Sequence, residues 1–228
     1  MKTTLFAAVA VVSCTASASA GIVASWSMTT AIPASPATTG SNYTYGAADA
    51  GDAAAGTSLS GFHALAATTW STPAGNGSTY SLSSNNWSVG DYYQIAVSTT
   101  GFSDIYLAWD QTRSSTGPSS FRVDMSTDGT NFSTILASYT IIQAGATGSG
   151  TLSWTTTGAV QSAFTTTLSS IAGADNQSTL FFRFVNLSTV ATGGTNRIDN
   201  IIVSSGPIPA PGALALLGLA GLAGRRRR

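Results

Sequence analysis

The sequence predicts an all-β protein, a two-sheet antiparallel sandwich of jelly-roll type, flanked by an N-terminal signal helix and a C-terminal apolar helix. Three observations predict it. Short runs alternate apolar and polar residues and are bounded by Gly, Ser and Asn. Ser and Thr number 33 each among 228 residues, with 24 Gly, a composition that places Thr on strands and Ser and Gly in turns. No long segment repeats with the 3.6-residue period of a helix.

The elements follow in order. Ile22 to Met28 opens the body as a strand. A Gly/Ala/Ser-rich stretch from Ala31 to Gly61, with Pro33 and Pro36, reads as loops with one short strand at most. Asp91 to Val97 and Asp104 to Trp109 are strands, the second placing Ile105, Leu107 and Trp109 on one face. Phe121, Val123 and Met125 alternate with Arg122 and Asp124, the pattern of a half-buried strand. Asp128-Gly129 is a turn signal before a strand from Phe132 to Ile142. Leu180 to Val185 is apolar on both faces apart from Arg183, which predicts a central strand, and Arg197 to Val203 closes the domain. Nine or ten short strands fit a sandwich.

Charge narrows the function classes. Only 8% of residues are charged and the formal net charge is zero, about a third of the usual charged share. There is no Glu, Lys2 is the one lysine, and Arg225 to Arg228 are half of the arginines. Between 21 and 206, four Arg face nine Asp, a net charge of −5. A mildly acidic body disfavours a polyanionic partner on electrostatic grounds, and the composition argues against a nucleic-acid binder with a basic face.

The two ends read as addresses. Lys2, the apolar run Leu5 to Val12 and the small residues Ala16 to Ala20 form a signal peptide over residues 1–20, with cleavage between Ala20 and Gly21. The alternative is lipoprotein processing at Val11-Val12-Ser13-Cys14. Cleavage after Ala20 leaves no cysteine, which removes disulfides and thiol catalysis. Residues 21–206 then form the sandwich domain and 207–228 a sorting and anchor segment. In it Pro209-Ala210-Pro211 precedes thirteen apolar or glycine residues, Gly212 to Gly224, and the four terminal arginines. As a helix those thirteen span about 20 Å, short of the roughly 30 Å hydrocarbon core. The arginines would hold such a tail at the cytoplasmic face during transient membrane insertion.

Pro-x-Pro, a short apolar segment and a terminal Arg cluster resemble the PEP-CTERM sorting tail of Gram-negative and related bacteria. The resemblance covers roughly the last 21 residues, with Ala210 standing where the family usually carries an acid. It implies recognition and cleavage by an exosortase-like membrane protease, and a setting at the cell surface or in exopolysaccharide. The body is similar to the sandwich domains found ahead of such tails, through Trp109 to Pro118, Phe121 to Gly129 and Gly194 to Val203. The closing Ile198-Asp-Asn-Ile201 is similar to the last strand of many carbohydrate-binding jelly rolls. This implies a fold and a surface setting, with no ligand attached.

Catalytic residue sets are scarce. A Ser-His-Asp triad would need His63, the only histidine, and no Gly-x-Ser-x-Gly elbow occurs. Beside Phe62 and Leu65, His63 reads as a loop or partly packed residue. One His without a mature Cys disfavours zinc. Among the acids, Asp104 and Asp110 lie about 20 Å apart along one strand, and Asp124 and Asp128 flank a turn, so a paired-carboxylate glycosidase is disfavoured. Asp199 is the most suggestive acid: it shares a strand face with Ile201 and Val203, and reads either as a calcium ligand or as a hydrogen-bonded core aspartate. Calcium is the single cofactor candidate.

Trp26, Trp109 and Trp154 sit in strand-like runs and read as core. Trp70 and Trp87 look more loop-like and are the candidate carbohydrate-stacking residues, although packing is the favoured reading for each. The expected function is an exported, non-catalytic cell-surface or exopolysaccharide-matrix protein sorted by its tail. A carbohydrate-binding module is the alternative, and a hydrolase is disfavoured.

Overall fold

The computed structural model describes residues 21–31, 38–145, 153–189 and 192–207. The signal-peptide and sorting-tail expectations, with Ala20, Pro209, Ala210 and Pro211, lie outside the described residues; Gly21 is the first residue of the first strand. Fourteen strands follow one another: β1 Gly21–Trp26, β2 Thr38–Thr39, β3 Asn42–Gly46, β4 Ser58–Phe62, β5 Thr69–Ser71, β6 Leu82–Ser84 and β7 Tyr92–Val97. Next come β8 Ile105–Arg113, β9 Ser120–Ser126, β10 Ser133–Thr140, β11 Ile142–Gln143, β12 Thr165–Leu168, β13 Leu180–Asn186 and β14 Asn196–Ser205. One 3-10 turn, Ser162–Phe164, is the helical element among the described residues.

The strands form two facing sheets, antiparallel except where β11 runs parallel to β8 for two residues. The six-stranded sheet has the order β10-β9-β13-β7-β4-β3. The eight-stranded sheet runs β11-β8-β14-β6-β5-β2, with β1 beside β14 and β12 beside β8. The chain changes sheets at β2–β3, β4–β5, β6–β7, β7–β8, β8–β9, β10–β11, β12–β13 and β13–β14, which is the jelly-roll habit of closing one core from both sides. β1 pairs with β14, so the first and last strands of the body are neighbours.

Strict alternation builds the core. On β7, Tyr93, Ile95 and Val97 point in while Tyr92, Gln94 and Ala96 point out. On β13, which is central as its composition predicts, Phe182 and Phe184 are fully buried and Phe181 and Arg183 face outward. Trp26, Trp70, Trp109 and Phe121 complete the interior at 0% exposure. Each such buried side chain contributes about 1.5–3 kcal/mol.

Three expectations are corrected. The stretch 31–61 contains all of β3 and most of β4, because Asn42-Tyr-Thr-Tyr45 alternates despite its Gly- and Ala-rich neighbours. Trp154 is buried in a loop, edge-on to Phe164 at 5.9 Å, rather than in a strand. Asp199 does not share a face with Ile201. Asn200 takes φ 46° and the β8–β14 register slips between Asp199 and Ile202, so the bulge resets the alternation.

Candidate functional site

The two tryptophans singled out in the sequence are interior residues. Trp70 lies on β5 at 0% exposure, and its ring crosses the core to rest on Gly61 of β4. Tyr43 stacks beside it at 5.9 Å, and Trp70 Nε1 donates to the Gly40 carbonyl at 2.8 Å. Trp87 borders a shallow cavity of about 310 Å³ with Leu65 and Val89. Its ring is only 4% exposed, packed on His63 at 4.3 Å and edge-on to Tyr93 and Phe121. The expected loop-like exposure is therefore corrected for both: aromatic rings this large fill the inter-sheet space before they are left in water.

His63 lies in the loop after β4, as the sequence reading allows, but it is wholly buried rather than partly packed. Its Nδ1 lies 3.1 Å from an Asp91 carboxylate oxygen and its Nε2 lies 3.1 Å from Ser84 Oγ. Ser, His and Asp thus stand in the order of a catalytic triad. All three are at most 1% exposed and the imidazole is covered by Trp70 and Trp87. No substrate carbonyl reaches Ser84 Oγ in this arrangement. Asp91 accepts the Ala64 and Ser88 backbone N–H groups as well, so the cluster ties the 63–91 segment to the core.

A second buried polar cluster surrounds Asp199 and Asp110, which are directly paired across β14 and β8. Asp199 accepts from Asn76 N at 2.7 Å, Ser78 Oγ at 2.6 Å and Asn200 N at 2.8 Å. Asp110 accepts from Thr165 Oγ1, from Asn76 Nδ2 at 2.8 Å and from Asn200 Nδ2 at 2.8 Å. Burial pushes the Asp199 carboxyl up to about 7, against the pull of its three donors, and the Asp110 charge adds to the rise. Burial likewise raises Asp110. Protein N–H and O–H donors occupy the oxygens a cation would use, and among the described residues no group of three or more His, Cys, Asp or Glu gathers to hold a metal.

The exposed chemistry lies elsewhere, on the outward face of the six-stranded sheet. Phe62 of β4 and Tyr92 of β7 are register partners, and their rings stack with centroids 5.3 Å apart. Phe62 is 39% exposed. The Arg183 guanidinium adjoins them, 4.3 Å from the Tyr92 ring centroid and 3.6 Å from that of Phe132. Its Nε donates to Gln94 Oε1 at 2.7 Å. Strand register then extends a polar row across all six strands: Thr44, Ser60, Gln94, Arg183, Asp124 and Thr134. Arg122 Nε donates to both Asp124 oxygens at 3.0 and 2.9 Å, and Thr134 Oγ1 donates to one of them at 2.7 Å.

Phe132 is placed by the turn before β10. Asp128 accepts from Thr130 N, Asn131 N, Asn131 Nδ2 and Ser126 Oγ, which holds its carboxyl well below the usual carboxylate range. Gly129, at φ 72°, lets the turn lie against Phe181. Sequence reasoning passed over Phe62, Tyr92, Phe132 and Arg183. The available signal was alternation: on β7 and β13 the aromatic and polar residues out of phase with the core had to face solvent.

No protein-family model matches the chain, and no curated protein matches it. Solved structures do. One is the K3 cleaved adhesin domain of Lys-gingipain from Porphyromonas gingivalis: 14% identity, 82% of this chain and 100% of that one, TM-score 0.43. Another is the module CtCBM11: 12% identity, 85% and 99% coverage, TM-score 0.42. A third is the CBM22-1 and GH10 modules of a Clostridium thermocellum xylanase complexed with xylohexaose: 14% identity, 61% of this chain and 25% of that one, TM-score 0.39.

Proposed function

We propose that this chain is an exported, non-catalytic protein of the cell surface or exopolysaccharide matrix, and that its sandwich binds extracellular polysaccharide on the outward face of the six-stranded sheet. One observation carries the binding reading: the stacked, solvent-facing pair Phe62 and Tyr92 beside a row of polar side chains. The exposed Phe62 ring, braced by Tyr92, offers an apolar surface to the C–H side of a pyranose, while Gln94, Ser60 and Thr44 supply donors and acceptors to its hydroxyls. A rigid sheet holds such groups at fixed spacing, which lowers the entropy lost on binding.

The non-catalytic part rests on burial. The Ser84, His63 and Asp91 cluster and the Asp110 and Asp199 pair are the groupings closest to hydrolytic machinery, and both are interior. Export and sorting rest on the sequence: the signal peptide over 1–20 and the Pro-Ala-Pro, apolar and Arg tail over 207–228, which an exosortase-like membrane protease would process. The test is a glycan array probed with residues 21–206, the span holding both sheets and the described core. Binding to one or more polysaccharides, weakened by Phe62→Ala or Tyr92→Ala, is expected. Binding to none overturns the reading.

A further inference from the structure

The outward sheet face carries one cation with no ion-pair partner among the described residues, Arg183. Two of the four arginines in an acidic body, Arg122 and Arg183, lie on this face. Arg122 is paired with Asp124 at 2.9 Å. Arg183 is the cross-strand partner of the same Asp124, yet that carboxylate bonds Arg122 and Thr134 instead. Among the described residues Arg183 has no ion pair and its η nitrogens have no hydrogen-bond partner; its one bond runs from Nε to Gln94.

The guanidinium is nonetheless held in place. The Gln94 bond fixes one edge, and the Phe132 and Tyr92 rings pack on it at 3.6 and 4.3 Å. A guanidinium with its plane set by aromatic contacts and its η edge open is a preformed fork for a planar carboxylate. It stands immediately beside the aromatic pair on which a sugar ring would rest.

Resting on the polysaccharide reading above, we propose that the ligand is an acidic polysaccharide carrying uronate units, with the pyranose on Phe62 and Tyr92 and its carboxylate on the Arg183 fork. A guanidinium fork can also take two oxygens of a sulfate ester, so a sulfated polymer is the control that separates the two anions. A net charge of −5 over the body opposes loose, non-specific capture of polyanions, so binding depends on this one point.

Affinity electrophoresis of residues 21–206 tests it, with polygalacturonate, carboxyl-reduced polygalacturonate, dextran and dextran sulfate as the gel polymers. Retardation by polygalacturonate alone is expected, with Arg183→Gln weakening it roughly tenfold or more and Arg183→Lys failing to restore it. Retardation by dextran or by the reduced polymer, unchanged in Arg183→Gln, overturns the acidic ligand but leaves polysaccharide binding standing. Equal retardation by dextran sulfate reduces the site to a charge patch and overturns the proposal. No retardation by any polymer overturns it together with the reading beneath it. Should Arg183→Gln fail to fold, the wild-type contrast between native and reduced polygalacturonate decides the matter.

Discussion

Asp110 and Asp199 face each other across adjacent strands in the interior, and no arginine or lysine pairs with either of them among the described residues. The pair is held by neutral donors alone, Asn76 bonding both carboxylates and Asn200 doing the same.

That relationship fixes a pH dependence. Asp199 titrates near 7 in the folded chain and near 3.9 when unfolded. Between those values the folded state keeps a proton that the unfolded state has lost. The group's contribution is fully present below about pH 4 and is lost as pH rises through 7. Asp110, also raised, acts in the same sense. Exposed Asp128 acts in the opposite sense, and only as the pH falls below the ordinary carboxylate range. Thermal melts should show a higher melting temperature at pH 5 than at pH 7.5. In Asp199→Asn that difference should shrink, and a chelator should leave the wild-type melting temperature unchanged. An increase in stability across this window on raising the pH counts against a protonated Asp199.

The His63 cluster makes a different prediction. His63→Ala strips the partner from an Asp91 carboxylate at 1% exposure and opens a void beneath Trp87. The expected loss is about 3–5 kcal/mol, read as a lower denaturation midpoint. Ser84→Ala removes one hydrogen bond to the ring and should cost about 1 kcal/mol. Neither variant nor the wild type should turn over activated esters. A wild-type esterase activity abolished in Ser84→Ala would give the cluster a catalytic role.

Gly61 reports how tightly the two sheets are joined. A Cβ there would lie 2.5 Å from Cζ3 and closer still to Cη2 of Trp70, which reaches across from the other sheet. Gly61→Ala should destabilise by about 1–3 kcal/mol through overpacking. Trp70 fluorescence should shift to longer wavelength as its ring is displaced toward water. An unchanged melting temperature would mean that Trp70 does not sit on β4.

These residues also mark where sequence reasoning succeeded and where it stopped. The strand β9 was legible because its apolar residues alternate with polar ones, and β13 because it is apolar on both faces with Arg183 alone breaking the run. The Asn200 bulge was not legible: a left-handed asparagine leaves no trace in an apolar alternation, so Asp199 was assigned the wrong face. Trp70 and Trp87 were misplaced because Ser, Thr and Asn neighbours resemble a loop, whereas here those neighbours bond one another inside the core, as Ser84 does with His63. The binding candidate emerged only from register. Phe62 and Tyr92 are thirty positions apart, and only antiparallel pairing of β4 with β7 sets them ring to ring.

The platform itself is testable without knowledge of its sugar. Phe62→Ala and Tyr92→Ala remove exposed or half-buried rings from the solvent face, so each should leave the melting temperature within about 0.5 kcal/mol equivalents of wild type. Polysaccharide retention should fall roughly tenfold or more in each. Asp128→Ala should have a milder effect of the same kind, since it loosens the turn that sets Phe132 against Arg183. Retention that survives both aromatic substitutions would move the binding surface off this sheet.

The C-terminal segment is expected to act as an address and not as part of the fold. β14 ends at Ser205 and is tied along Gly21–Trp26 of β1, and Gly206 N donates to the Asp104 carbonyl at 2.8 Å. Every described contact of the body is therefore complete before residue 208. Beyond it, the sequence leads us to expect that Pro209 and Pro211 interrupt regular helix and give a processing protease an extended segment. The apolar run after them is too short to span with ease, and Arg225 to Arg228 are too costly to draw through a bilayer. Deleting residues 208–228 should leave the melting temperature of the sandwich unchanged and release the protein from the cell surface into the medium. Mass spectrometry of the surface-retained protein should find its last residue within or just before the proline segment. A mature protein that keeps Arg225 to Arg228, or a truncated one that fails to fold, would contradict the sorting reading.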